Sequence, residues 1–263
     1  MNILITGGNG YIAKSLYQAL KEDYSVTKVA RSDFDLTDCV ATTKYFEDKY
    51  FDVVIHTAVS GGSRLKDETW GTMDTNLVMY YNLLQNRKSF EKLIHFGSGA
   101  EQHAGHTPYG LSKKVIANSI LDQPGFYNLR IFAVFDENEL GTRFIKANIE
   151  RYLNKEPLEI HQNKFMDFFY MKDLVKLVEF YITSDNPPKS VDCSYDTLTD
   201  LQALASYINS LEDYRVNILI KEQGFGQDYF GEHVDLGLCY YGLRKGVSEV
   251  YNKLKNEKNK LFN

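Results

Sequence analysis

Tyr109 and Lys113 stand one helical turn apart, downstream of Ser98 and of a glycine-rich stretch near the start of the chain, Thr6-Gly7-Gly8-Asn9-Gly10-Tyr11-Ile12-Ala13. These types suit the interconversion of a ketone and an alcohol. Reducing a ketone builds negative charge on its oxygen, so the site must deliver a proton and hold that oxygen. Tyr109 can give the proton, and Ser98 can hydrogen-bond the oxygen. A phenol with an ordinary pKa of about 10 is a slow donor unless a cation lowers it, and Lys113 shares its helix face. Asn76, on a preceding helix, either positions this region or is an exposed helix residue. In a chain with 19 tyrosines, a plain helix-surface pair is the competing reading of Tyr109 and Lys113. Their order after Ser98 and the glycines favours the chemical one.

The elements that must carry these residues are readable as short apolar runs, 2–5, 25–30, 52–56, 92–96 and 127–133, alternating with amphipathic stretches. That rhythm predicts an α/β fold, a Rossmann-type doubly wound parallel sheet with a small C-terminal lobe. Ile12, Leu16, Ala19 and Leu20 repeat at helical spacing, so a helix follows the glycines directly. Pro108 suits the first turn of a helix carrying Tyr109 and Lys113. Near residue 135 the strand rhythm stops. A helix over 143–153 follows, then a helical pattern over 173–183 and a strand-like 190–193 that return to the sheet. A strand at 216–220 and a helix from Lys245 complete the chain. The expected division is a cofactor-binding Rossmann domain over 1–135 with a return around 170–196, and a substrate-binding lobe over 136–169 and 197–263.

A glycine turn between strand and helix lets backbone approach a pyrophosphate at the helix N-terminus. Gly7, Gly10, Tyr11 and Ile12 are the candidates, with Ala13 small enough for close helix packing; an ordinary turn is the alternative. The second strand ends in Val29-Ala30-Arg31-Ser32, where NAD-selective folds carry an acidic residue. A guanidinium there pairs with a 2′-phosphate, which points to NADP(H) over NAD(H), with Asp33 nearby as a countervailing charge and a surface cation as the other reading of Arg31. Asp35 and Leu36 fall where a loop meets adenine, and Asp35 to Asp38 also reads as a helix cap. Ala58, Ser60 and Gly61 follow the third strand and either approach cofactor and substrate or form a plain loop.

The net charge of −5 offers no basic field for nucleic acid, and the lysines of 253–260 read as a solvated helix end. The three cysteines, Cys39, Cys193 and Cys239, are far apart, with no metal spacing and no disulfide framework. The chain opens on a strand, so no leader is expected, and no apolar run nears the ~20 residues that span a bilayer. A cytoplasmic protein without membrane partners is expected.

Together these residues resemble the extended short-chain dehydrogenase/reductases, the NAD-dependent epimerase/dehydratase group, and within it the GDP-L-fucose synthases and related 4-keto-6-deoxy-sugar reductases. The resemblance spans essentially the whole chain. Its further stretches are Ala58-Val59-Ser60-Gly61-Gly62, Leu93-Ile94-His95-Phe96-Gly97-Ser98, Asn128-Leu129-Arg130-Ile131-Phe132 and Met166 to Asp173. It implies Ser98, Tyr109 and Lys113 as the catalytic triad and a nucleotide-sugar substrate for surface glycan biosynthesis. It places Arg143 in the substrate site, Arg151 near the substrate diphosphate, and implies a homodimer through helices 74–85 and 109–121. Val78, Tyr81, Leu84, Val115 and Ile120 are the apolar positions available for that contact or for the core. Ala100 and Arg143 occupy the positions of the Cys and His with which fucose synthases epimerise C3 and C5, and neither shuttles a proton. His103 and His106 are the substitutes on offer. Gly99 and Ala100 replace the acidic pair of the 4,6-dehydratases, and Met166 replaces an arginine. The implied activity is NADPH-dependent 4-keto reduction without epimerisation. A 4-epimerase with retained NAD and a non-catalytic nucleotide sensor are the alternatives.

Overall fold

Short apolar runs become strands buried on both faces, as a parallel sheet covered by helices requires. The structure, a computed structural model, describes residues 1–62 and 68–261. In chain order its elements are β1 (Asn2–Thr6), α1 (Tyr11–Leu20), β2 (Ser25–Val29), α2 (Cys39–Phe46), β3 (Phe51–His56), α3 (Trp70–Gln85), β4 (Phe90–Ser98), α4 (Ala100–His103), α5 (Pro108–Leu121) and β5 (Phe126–Ile131). They continue as β6 (Val134–Phe135), α6 (Phe144–Leu153), β7 (Leu158–Asn163), β8 (Phe169–Tyr170), α7 (Met171–Thr183), β9 (Ser190–Asp192), α8 (Leu201–Ile208), β10 (Ile218–Phe225) and α9 (Leu243–Leu261). The chain forms two compact units, Met1–Ile131 with Leu177–Val191, and Phe132–Lys176 with Asp192–Asn263.

In the first unit the strands lie in the order β2-β1-β3-β4-β5-β9, and the pairs from β2 through β5 are parallel. This is the expected doubly wound α/β sheet. The order reverses direction between β1 and β3, which opens a crevice beyond their carboxyl ends. Leu4, Val54, Leu83, Leu93 and Ile116 fill the core, each such side chain contributing roughly 1.5–3 kcal/mol by leaving water. Ile120 joins them fully buried, so it belongs to the core and not to an exposed face. At the sheet edge, β2 keeps only Val29 buried, in keeping with its polar Ser25, Thr27 and Lys28. The sequence reading missed α2, although Asp38 was read as a cap: its carboxylate accepts from Ala41 N–H at 3.0 Å.

The second unit pairs β7 with β10 and β6 with β8, both parallel. Helices α6, α8 and α9 share a core with β7 that includes Ile149, Tyr152, Ile160, Leu204 and Val250. The strand expected at Val216 starts instead at Ile218, for a local reason. Asn209 receives Val216 N–H at 2.9 Å and donates to its carbonyl at 2.8 Å, removing both groups from any ladder. No helix among the described residues is long and apolar enough to cross a membrane.

Residues 226–242 are coil apart from a bridge at Tyr229, and buried carboxylates satisfy part of their backbone. Asp173 accepts from Tyr241 N–H at 2.7 Å and Gly242 N–H at 3.0 Å. Asp167 accepts from Gly231 N–H and Asp192 from Glu232 N–H, both at 2.9 Å. Burial pushes the Asp167 carboxyl up to about 6; the Gly231 N–H opposes this and the Asp192 charge adds to it. A carboxyl raised above its unfolded value contributes stability that is complete below about pH 4 and lost as pH rises through about 6. Asp167→Asn keeps an acceptor for Gly231 and removes the charge. It is expected to be more stable than the parent above pH ~6, by ~2–3 kcal/mol, with the difference fading by pH ~4. Thermal unfolding of both proteins across that range checks this; a constant difference rules it out.

Candidate active site

The glycine turn closes on the strand beside it. Gly7 sits at φ +68°, and a Cβ there would lie 2.7 Å from the Ala58 backbone, so the position admits only glycine. Gly8 N–H donates to Val29 carbonyl and Gly10 N–H to Gly7 carbonyl, both at 2.8 Å. Gly10 is the N-cap of α1 and supplies no side-chain cap, which leaves the first N–H groups of the helix without an intrahelical acceptor. A pocket of about 260 Å³ opens at this point, and Gly7, Gly10, Ala58 and Ser60 line it. Arg31, Asp35 and Leu36 line it too. Arg31 lies 3.6 Å from Asp35. Hydrogen bonds from Thr37 N–H and hydroxyl hold the Asp35 carboxyl below its ordinary range. Asp33 accepts from Ala30 N–H at 2.7 Å.

Beyond β3 the chain carries a glycine pair. Gly61 and Gly62 have φ of +80° and +74°, and a Cβ on Gly62 would stand 2.9 Å from Tyr109 Cζ. The phenol therefore packs against bare backbone. Asn76 is 3% exposed, not the exposed helix residue left open above. It accepts from Ser60 N–H at 2.8 Å and donates to Ser60 carbonyl and Ser112 hydroxyl, each at 3.0 Å, tying this loop to α5. Glu68 accepts from Gly62 N–H at 3.1 Å and from Tyr109 N–H at 3.3 Å, so one carboxylate serves both the loop and the first turn of α5. The sequence gives Glu68 no local signature; only the fold brings it there.

Thr107 caps α5 through Gly110 N–H at 3.1 Å, with Pro108 in the first turn. Lys113 lies one turn after Tyr109, its Nζ 5.9 Å from the Tyr109 ring centroid. That ammonium is inside the protein: Lys113 is 4% exposed, donates to Phe96 carbonyl at 2.6 Å and meets His95 Nε2 at 3.5 Å. Burial lowers Lys113 to about 8, with the Glu101 charge acting the other way. The ammonium lying beside the ring and still charged at neutral pH favours ionisation of a phenol.

Ser98 ends β4. The segment between Ser98 and Tyr109 contains the single turn α4, whose Glu101 is a buried hub. Glu101 accepts from Ser98 N–H at 2.9 Å, from Asn128 at 3.2 Å and from Arg130 Nε at 2.9 Å. Arg130 was the available signal, because a guanidinium in a buried strand calls for a carboxylate. Of the two histidines here, His103 is half-buried and His106 exposed, and Ala100 is buried.

In the second unit, Arg143 is the exposed residue before α6. Arg151, in the last turn of α6, pairs with Glu159 at 2.9 Å and reaches Glu156 at 3.9 Å. Glu139 caps α6 through Lys146 N–H at 3.1 Å, and burial pushes its carboxyl up to about 8. Met166 is part of the core.

Comparison with known proteins adds to this geometry. CDP-abequose synthase of Yersinia pseudotuberculosis is 22% identical over 247 residues, 83% of this chain and 87% of that protein. In fold, the chain is similar to UDP-glucose 4-epimerase of Thermotoga maritima, with TM-score 0.81 at 16% identity over 98% of this chain and 100% of that one. It is likewise similar to the GDP-6-OMe-4-keto-L-xylo-heptose reductase of C. jejuni, with TM-score 0.77 at 14% identity, covering 97% and 98%. Residues 3–193 match the NAD dependent epimerase/dehydratase family, in line with the motif resemblance, and the chain belongs to that family.

Proposed function

We propose that the protein is an NADPH-dependent reductase of the 4-keto group of a nucleotide-activated sugar, acting in surface glycan biosynthesis and leaving C3 and C5 unchanged. The observation that carries this reading is the buried Lys113 ammonium beside the Tyr109 ring, on a helix whose first turn is fixed by Glu68 and Thr107. The relatives named above include a 4-keto sugar-nucleotide reductase and a 4-epimerase by their own descriptions. The first unit takes the cofactor and carries the reacting groups, and the second adds Arg143 and Arg151 for the substrate.

The glycine turn, packed against Ala58 without a side chain, and the open N-terminus of α1 fit the phosphates of a dinucleotide. Gly7, Gly10, Tyr11 and Ile12 hold the phosphates, and Asp35, Leu36 and Ala58 flank the adenosine end. The nicotinamide, when bound, supplies the hydride. Tyr109 gives its proton to the ketone oxygen, Ser98 hydrogen-bonds that oxygen, and Lys113 stabilises the phenolate left behind. Ser60, Gly61, Arg143 and Arg151 serve the substrate. For Arg151 this means exchanging Glu159 for a diphosphate. Ala100 and Arg143 provide no group that exchanges protons at carbon. The alternative, a 4-epimerase, predicts protein that purifies with stoichiometric NAD.

Arg31 supports NADP(H). Arg31 stands exposed at the pocket edge in a solvent-exposed pair with Asp35, and an exposed pair of this kind is weak enough for a 2′-phosphate to compete for the guanidinium. The exposed Val78, Tyr81 and Val115 on α3 and α5 support a homodimer through these helices, with light scattering as its test.

Two measurements test the reading. Tyr109→Phe is expected to bind NADPH as the parent does and to lose ~10²–10⁴-fold in turnover of a 4-keto sugar nucleotide; near-normal turnover would falsify the mechanism. Arg31→Ala is expected to lower kcat/KM with NADPH ~10–100-fold and to leave NADH little affected. Equal losses with both cofactors would show that Arg31 does not read the phosphate.

A further inference from the structure

Behind Lys113 lies a row of polar side chains in the middle of the sheet. Thr6, His56, His95 and Asn128 are successive register partners on β1, β3, β4 and β5, and each is at most 2% exposed. Apolar residues would fill these positions at no polar cost, so the row calls for a reason. Asn128 is engaged by Glu101. Thr6 hydroxyl and His56 Nδ1 are 2.8 Å apart. The His56 and His95 rings lie 5.4 Å apart at 32°, and Tyr80 meets His95 edge-on at 6.4 Å. The His95 ring thus has two aromatic neighbours, and its Nε2 meets Lys113 Nζ at 3.5 Å. Its Nδ1 is buried and, among the described residues, has no hydrogen-bond partner.

The neighbouring ammonium selects the tautomer. With an ammonium at Nε2, the lone pair must be on Nε2 and the proton on Nδ1. A buried N–H without an acceptor is costly, and the arrangement has a use only if the Nε2 lone pair is needed.

We infer that His95 is a positioning residue for Lys113, a permanently neutral acceptor that, with the Phe96 carbonyl, holds the ammonium beside Tyr109. His56 backs the ring. The inference rests on the proposed catalytic role of Lys113 and adds a residue that touches neither cofactor nor substrate. The titratable groups facing Lys113 are Tyr109 from α5, His95 from β4, His56 from β3 and Glu101 from α4. Both histidines stay neutral across the working range, since burial first and the Lys113 charge second lower His56 to about 3 and His95 well below its ordinary value. Among the described residues, Glu101 favours the ammonium by charge. The row ends at Thr6, fully buried.

Removing the acceptor disfavours the ammonium, so the Lys113 pKa falls. In protein carrying ¹³Cε-lysine, followed by NMR against pH, His95→Leu is expected to lower the Lys113 midpoint by about one pH unit. His95→Gln, whose amide oxygen can accept, is expected to restore most of it. The alkaline limb of kcat/KM for NADPH-dependent keto-sugar reduction should move with the midpoint. His95→Phe keeps the ring without the acceptor and replaces the Leu variant if the latter fails to fold. An unmoved Lys113 midpoint in a folded Leu or Phe variant overturns the inference. A midpoint that moves while the activity limb stays upholds the contact and overturns the catalytic reading of Lys113 instead.

Discussion

The first unit is organised around an ammonium withdrawn from water. A buried lysine charge is tolerated only when acceptors replace its hydration, and Lys113 finds them on two adjoining residues of β4, His95 and Phe96. This requirement fixes the rotation of α5, because a helix whose fifth and sixth residues face the sheet must present Tyr109 one turn earlier on the same side. It also explains the glycine opposite: with the ring placed from one side, the chain can pass Tyr109 at residue 62 only without a side chain. Glu101 completes the balance of charge. Its carboxylate is shared among the Ser98 backbone, Asn128 and Arg130, so the turn after β4 is fixed by the charge that supports the lysine.

What could be read from the sequence was local. The glycine turn, the Tyr109 to Lys113 spacing, Pro108 and the strand rhythm each express a backbone or helical constraint within a few residues, and the fold bears them out as elements. Glu68, Glu101 and His95 act across long stretches of chain, and their types are ordinary where they stand. Glu101 was the most legible of the three through the unpaired-looking Arg130. His95 sat inside a quoted strand and drew no notice, because periodicity describes faces and not what lies across them. The misplaced start of β10 has the same origin: the apolar run at 216 is real, but Asn209 takes its backbone.

The two units solve their polar accounting differently. In the first, regular strands satisfy the main chain and side chains are left for the site. In the second, long coil is held by Asp167, Asp173 and Asp192 accepting backbone N–H groups. Carboxylates do this well, but when buried next to each other they carry a standing electrostatic strain, visible in Asp167. Such a segment is more easily rebuilt by substitution than a strand is.

The chain contains a single tryptophan, and it opens α3 as Trp70, two residues beyond Glu68, with 62% of its surface exposed. The helix it begins carries Asn76, which ties the 57–62 loop to α5. Indole emission therefore comes from one place, in water, at the end of the element that braces the phenol. Whatever covers that helix end shifts the fluorescence of the whole protein to shorter wavelength, which gives this chain a built-in optical report on that corner without any label.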